Sequence, residues 1–470
     1  MASVCVMGGG PAGSTFAARM AQLGHDVQLI ESAVFPRPHL GESLSPGVLP
    51  LLAATGASEA VGKAGFRPVH RVMVTWDGDL RIREDQREQG LLVDRGSFDR
   101  VLIDRARELG VRILQPARVS ERRCQDGVWT VTVETAGEIQ DLRADFLADA
   151  RGRAGAGAWR KRAAGPATLA LYAYWRGEAL PEQPSIEAGP DAWYWGVPLP
   201  DGTYNSLAFV DAKQFHSTRD GPLAARFHRL LERSGLMAGL AGARMTGPVQ
   251  AIDATPYVSE SGVTPVSIAV GEAALALDPI SSSGVQKALQ SALAAAVVAN
   301  TLLRRPASAS AAMGFYESSL HDASARHSRW TAGHYATAAR HRASKFWKER
   351  ATPVAQDTSH PSPVTANAEA LATWRVELSH ELAVEDLPCI EDDFVVLKSA
   401  LRHPGLETPV AFLGDHALAP LIRRVRPGST PLQIAQAWSD DMPLKSALSI
   451  AIWLLNAGIL VERRQLQNAG

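Results

Sequence analysis

The chain opens on an unbroken apolar run, Val4-Cys5-Val6-Met7, breaks into the glycines of Gly8 to Gly13, resumes as alanine-rich Ser14 to Leu23, and closes on Val27 to Ile30. A short apolar run bounded by turn residues reads as a buried strand and the spacing after it as a helix. The first 31 residues therefore predict strand, turn, helix, strand, with the two strands parallel. Further on the period drops to two. Residues 66–83 and about 166–255 alternate apolar with polar positions around turn signals such as Asp77-Gly78 and Asp201-Gly202, which predicts an antiparallel sheet. Phe98 to Leu109 has the spacing of an amphipathic helix, Gly127 to Thr135 that of one strand of a meander, and Gly284 to Leu303 and Ala323 to Glu349 those of two long helices. Residues 351–372 are rich in Pro, Ser, Thr and Ala and read as a linker. Beyond it, 373–470 has its own periodicities: strand-like 393–398 and 409–413, then amphipathic Thr430 to Trp438 and Leu444 to Ala457, a winged-helix-like order.

Composition narrows the function classes. With 48 basic against 49 acidic side chains the net charge of -1 offers no general attraction to nucleic acid or to an anionic membrane, so neither is expected as a partner. Cys5, Cys124 and Cys389 are too scattered for a disulfide framework or a metal site. No signal-peptide core precedes Val4, and the apolar run Ser446 to Val461 is interrupted by Ser449, Asn456 and Gly458; a cytoplasmic chain without a membrane span is expected. His327, His334 and His341 share a helix face, but at ~10 Å spacing they cannot meet on one metal ion.

The chemistry starts at VCVMGGGPAGS, residues 4–14, where Gly8, Gly10 and Gly13 hold the Gly-x-Gly-x-x-Gly spacing between strand and helix. Gly8 permits a tight turn, Gly10 lets the backbone approach a pyrophosphate, Gly13 lets helix and strand pack closely, and the helix N-terminus faces the phosphates. Glu31 ends the second strand, where an acid accepts hydrogen bonds from an adenosine ribose. A second segment, GEAALALDPISSSGVQKALQSA at residues 271–292, follows an apolar run with a Gly-acid turn, then Asp278-Pro279, then a Ser/Gly loop that opens a helix. Amides near Gly284 and Val285 would face the pyrimidine edge of a flavin, although a capped core helix fits the segment taken alone.

Together these segments resemble the FAD fold of single-component aromatic hydroxylases and flavin-dependent halogenases, over about residues 1–350. Gly271-Glu272 stands where that family has Gly-Asp. LLVDRGSFDRVLIDRARELG, residues 91–110, is similar to the segment whose arginine, here Arg95, reaches the cofactor, and LADARGRAG, residues 147–155, to the Asp-Gly motif. FPRPHLGESLSPG (35–47) and WYWGVP (193–198) resemble the halogenase-like branch, although Trp193 and Trp195 could equally fill a core. The lysine with which halogenases hold hypohalous acid has no counterpart in GFRPVHRVMVTWDG (65–78), and Lys63 lies too early. With DPISSSGVQKALQSALAA, that loss resembles the flavoprotein monooxygenases that hydroxylate a tryptophan during maturation of the tryptophylquinone subunit of quinohemoprotein amine dehydrogenase.

The resemblance implies an α/β fold: a Rossmann-like FAD-binding domain (segments about 1–65, 90–165 and 255–305) interleaved with a substrate-side sheet (66–83 and 166–255), a helical segment (306–350) and the small C-terminal domain. It implies FAD as cofactor, a nicotinamide cofactor or a flavin reductase as electron source, and a small protein as substrate, contacted or merely accompanied by the domain 373–470. Reduced flavin and oxygen would deliver an electrophilic oxygen to an electron-rich ring, and protein groups must deprotonate or orient that ring. His39, Glu42 and His70, on segments expected to border the flavin, are the catalytic candidates. The cofactor residues are Gly8, Gly10, Gly13, Glu31, Arg95, Asp278, Pro279, Gly284 and Val285. Two other readings stay open: a halogenase of an aromatic small molecule, and a flavin-binding protein that acts through its partners.

Overall fold

The computed structural model describes residues 1–351 and 368–463, apart from 38, 85–88, 219, 236, 241 and 407. It divides into two compact units, Met1–Val354 and Ala355–Gly470. Of the expected linker, residues 352–367 lie outside the described residues.

In the first unit the opening strand Ser3–Met7 lies inside a six-stranded sheet, between Phe146–Asp149 and Asp26–Ile30. Arg112–Leu114 follows on one side, Ser267–Ala269 and Val263–Thr264 on the other, and every pair is parallel except the last. A parallel sheet is covered on both faces, so Val4, Cys5, Val6 and Met7 are all buried and the run shows no alternation. The alanine-rich helices Pro11–Gln22 and Gly284–Arg304 pack closely on one face. The three-stranded meander Arg118–Gln125, Val128–Thr135 and Glu138–Ala144 closes the other, through Val131, Val133 and Ala144 against Cys5, Met7 and Leu147.

The substrate-side sheet has eight strands. Its order is Arg244–Met245, Thr168–Arg176, Tyr204–Asp211, Trp193–Pro198, Ser185–Ala188, Arg71–Thr75 and Leu80–Glu84, with Gln250–Asp253 also on Thr168–Arg176. All its pairs are antiparallel except Ser185–Ala188 with Arg71–Thr75. Two parts of the expected pattern differ. Arg67–Val69 joins Gly90–Leu92 and Ser43–Leu44 in a separate small sheet. Within 166–255 the helices Ala212–Ser217 and Leu223–Leu231 interrupt the strands, the first capped by the Asp211 carboxylate accepting from the Gln214 amide, the second burying Phe227 and Leu231 four residues apart. One sheet face packs on that helix; the other carries Ala170, Tyr172, Trp193, Leu207 and Phe209.

The expected helix over 323–349 is instead Ala309–Ala339 followed by a break and a short helix, Lys345–Arg350. The break returns Trp347 under the sheet, where it is fully buried and its Nε1 donates to the Gly189 carbonyl at 2.9 Å. Among the described residues no helix is long and apolar enough to cross a membrane.

The second unit has its own core, with Trp438 and Leu454 fully buried. The Thr430 side chain and Gln433 form a capping box at the start of Pro431–Ala437, and Leu444–Asn456 leads into the strand Leu460–Glu462, close to the expected order. The expected 393–398 strand is the second half of a longer hairpin, Ala383–Glu391 with Phe394–Arg402; of 409–413, Val410 bridges to Leu401 and Phe412–Leu413 forms a short strand.

Candidate active site

The carboxyl ends of the parallel strands, the helix N-termini that follow them and the aromatic face of the large sheet enclose one cavity of about 1090 Å³. At one end lies the glycine turn. Gly8 has φ +101°, and a Cβ there would sit 2.6 Å from the Ala150 carbonyl; a Cβ on Gly13 would sit 1.8 Å from the Gly8 carbonyl. Gly10 differs: its nearest neighbour to a built Cβ is an Arg37 nitrogen at 3.7 Å, so the protein leaves that side open and the cavity takes it. Gly9 donates its amide to Glu31 Oε2 at 2.7 Å, and Ala33 donates to Oε1 at 2.8 Å, which fixes the buried Glu31 at the cavity wall. Arg37, Arg118, Arg151 and Arg153 also line the cavity, and Arg151 is held by Asp149 at 2.7 Å. An open glycine, a free helix start, a fixed acid and guanidinium groups fit an anionic dinucleotide such as FAD.

Asp278, Pro279, Gly284 and Val285 line the cavity too. Ser283 does not cap the helix Gly284–Arg304 with its side chain, so the helix start is left to what occupies the cavity. The loop that carries Gly41-Glu42-Ser43 is pinned to this helix two residues on, Ser45 Oγ donating to Gln286 Oε1 at 2.7 Å.

The protein holds Arg95 on two sides. It lines the cavity, but its Nε and Nη2 donate to Asp99 at 3.0 and 3.1 Å, and its Nη1 donates to the Leu40 carbonyl at 2.7 Å. It latches the loop that carries His39, Leu40 and Glu42.

The three catalytic candidates separate. Glu42 is 5% exposed and lines the cavity; its Oε1 accepts from the Tyr174 hydroxyl at 2.7 Å and from Asn205 Nδ2 at 3.0 Å, and its Oε2 from the Gly41 amide at 3.0 Å. Burial pushes its carboxyl above the usual carboxylate range, against the pull of these donors. His39 stands at the cavity edge, its Nδ1 donating to the Leu40 carbonyl at 2.8 Å. His70 is exposed between Arg67–Val69 and Arg71–Thr75 and is not among the lining residues, so the structure leaves it out of the site. It sits in the link between Arg67–Val69 of the small sheet and Arg71–Thr75 of the large one, outside both strands.

Trp193 and Trp195 line the opposite wall with Ile186, Leu207 and Phe209. The Trp193 and Phe209 rings stack with centroids 3.7 Å apart, so Trp193 is both core and cavity wall. Among the described residues lining the cavity there is no lysine. Lys63 ends the short helix Ser58–Lys63 with a solvent-exposed side chain paired to Glu59. Sequence reasoning missed Tyr174 and Asn205, which face each other across neighbouring strands; the one available signal was an asparagine inside the apolar run around Leu207 and Phe209.

The family model described as FAD dependent oxidoreductase matches residues 3–160. A tryptophan 2-halogenase from Chondromyces crocatus is 32% identical over 334 residues, which is 67% of this chain and 64% of that protein's length. The structure of the peptidyl tryptophan dihydroxylase QhpG, essential for tryptophylquinone cofactor biogenesis, superposes with a TM-score of 0.77 at 28% identity over 97% of this chain and 99% of that one. The flavin-dependent halogenase CmlS shares the fold, with a TM-score of 0.78 at 20% identity over 98% and 96% of the two chains.

Proposed function

Because the chain belongs to the superfamily of FAD-dependent oxidoreductases and flavin-dependent halogenases, we propose that it is a monooxygenase that hydroxylates an electron-rich aromatic ring, a tryptophan side chain within a small protein during quinone cofactor maturation. The observation that carries the choice of hydroxylation is that no lysine is among the described residues lining the cavity, so none of them offers an amine to hold an oxidised halide. Likeness to the peptidyl tryptophan dihydroxylase along the whole chain, second unit included, supports a protein substrate.

Bound FAD, reduced by a nicotinamide cofactor or a flavin reductase, supplies the activated oxygen. The chain's part is to hold, orient and deprotonate. Gly8 to Gly13 and the start of Pro11–Gln22 would hold the pyrophosphate, Glu31 the ribose, and the start of Gly284–Arg304 the flavin ring. Trp193, Trp195 and Phe209 give the target ring an apolar wall and keep water from it. Glu42, buried and fixed by three donors, would take the proton that the ring releases.

Three experiments test this. With reduced FAD, oxygen and a candidate protein substrate, the product gains mass in steps of one oxygen. The same mixture with chloride or bromide gives no halogenated product; the identity to a tryptophan 2-halogenase favours the opposite result, and a halogenated ring lost in Lys63→Ala would establish it. Ending the chain after Val354, the last residue of the first compact unit, is expected to leave FAD binding and reoxidation unchanged. Hydroxylation of the protein substrate falls at least about tenfold, because remote contacts that position a target ring are lost with the second unit. A truncated enzyme that works on the protein as well as the full chain does would remove the second unit from substrate recognition.

A further inference from the structure

One helix outside the cavity wall holds a single residue of that wall at two points. From Ala309–Ala339, the Tyr335 hydroxyl donates to both carboxylate oxygens of Asp278, at 3.0 and 3.1 Å, and His327 Nε2 donates to the Asp278 carbonyl at 3.3 Å. The Ile280 amide is a second donor to the carboxylate, at 3.1 Å. Tyr335 is buried and its ring packs beside those of Trp76 and Trp347, with centroids 6.2 and 6.0 Å away, so the hydroxyl has little freedom to point elsewhere.

We propose that Tyr335 is a positioning residue of the flavin site: by holding the Asp278 side chain as a carboxylate in the cavity wall, it keeps the reduction potential of bound FAD low. An anion in a poorly solvated wall raises the cost of adding electrons to a nearby ring, and a neutral acid in its place does not. Burial pushes the Asp278 carboxyl up; the Ile280 amide, Tyr335 and the field of Arg350 oppose it. The other charged or titratable groups that face this corner are His327 and, behind it, Lys287; burial brings His327 down to about 4, so it is neutral at working pH and adds no positive charge to the field of Arg350 at the carboxylate. The inference rests on FAD as the bound cofactor and not on the identity of the target ring.

The test is the midpoint potential of the FAD-loaded protein without substrate, measured by dye equilibration from about pH 5 to about pH 9. In Tyr335→Phe the potential is expected to rise and the bend in its pH dependence to move to higher pH, because the acid loses a donor to its charged form. Asp278→Asn is expected to show the raised potential without that bend, and adding Tyr335→Phe to change it no further. A Tyr335→Phe curve that overlays the wild type overturns the proposal, even if FAD binds more weakly; so does a double variant in which the two shifts add. If Asp278→Asn binds no FAD, the Tyr335→Phe curve decides alone.

Discussion

Gly10→Val is expected to fold normally and to purify without flavin absorbance, its affinity for FAD lowered by at least about a hundredfold, a cost of ~2.7 kcal/mol. Gly10 has φ -70°, an ordinary value for any residue, and the nearest atom to an added Cβ is 3.7 Å away, so a Cβ there meets no backbone obstacle within the protein. What it fills is the cavity side of the turn, against which a pyrophosphate must lie. Gly13→Ala is the contrasting control: its methyl would lie 1.8 Å from the Gly8 carbonyl, so both stability and FAD binding should fall. Stoichiometric FAD in a folded Gly10→Val protein would show that the cofactor lies elsewhere.

These glycines show what a single sequence makes legible. Gly8, Gly13 and Glu31 act through the backbone and their immediate neighbours, and a local motif reports local geometry. The strand Ser3–Met7 and the helix Pro11–Gln22 were readable for the same reason. Arg95 shows where that ends: its motif located it beside the cavity, yet its donors go to Asp99, one turn away, and to Leu40, fifty-five residues earlier. Nothing in the spacing shows that the guanidinium also fastens the loop beside the cavity. Tyr335 and Tyr174 were further out of reach, since each meets its carboxylate only after distant segments have packed: Asp278 across 57 residues and Glu42 across 132. The histidine repeat at 327, 334 and 341 reads as one helix face, but the helix Ala309–Ala339 ends before His341, and His327's bond to the Asp278 carbonyl depends on which way the helix turns.

Glu42→Gln is expected to lower the rate of ring hydroxylation by about a hundredfold or more while leaving FAD binding and the reoxidation of reduced flavin near wild type. The variant keeps the side chain's size and one acceptor oxygen, which can still receive the Tyr174 hydroxyl and Asn205 Nδ2. It removes the charge and the second acceptor, so oxygen would still be consumed with product formation uncoupled from it. The wild-type pH profile supplies an independent check. Burial raises the Glu42 carboxyl above the ordinary carboxylate range, and a base works only when ionised, so hydroxylation should fall as pH drops through that raised value. Glu42→Gln should lack this acid limb. Tyr174→Phe should move it to higher pH, since the Tyr174 hydroxyl favours the charged form and its loss makes the carboxylate harder to form. A Glu42→Gln enzyme with wild-type turnover, or one that retains the limb, would give the proton to another group, and His39 at the cavity edge would be the next residue to replace.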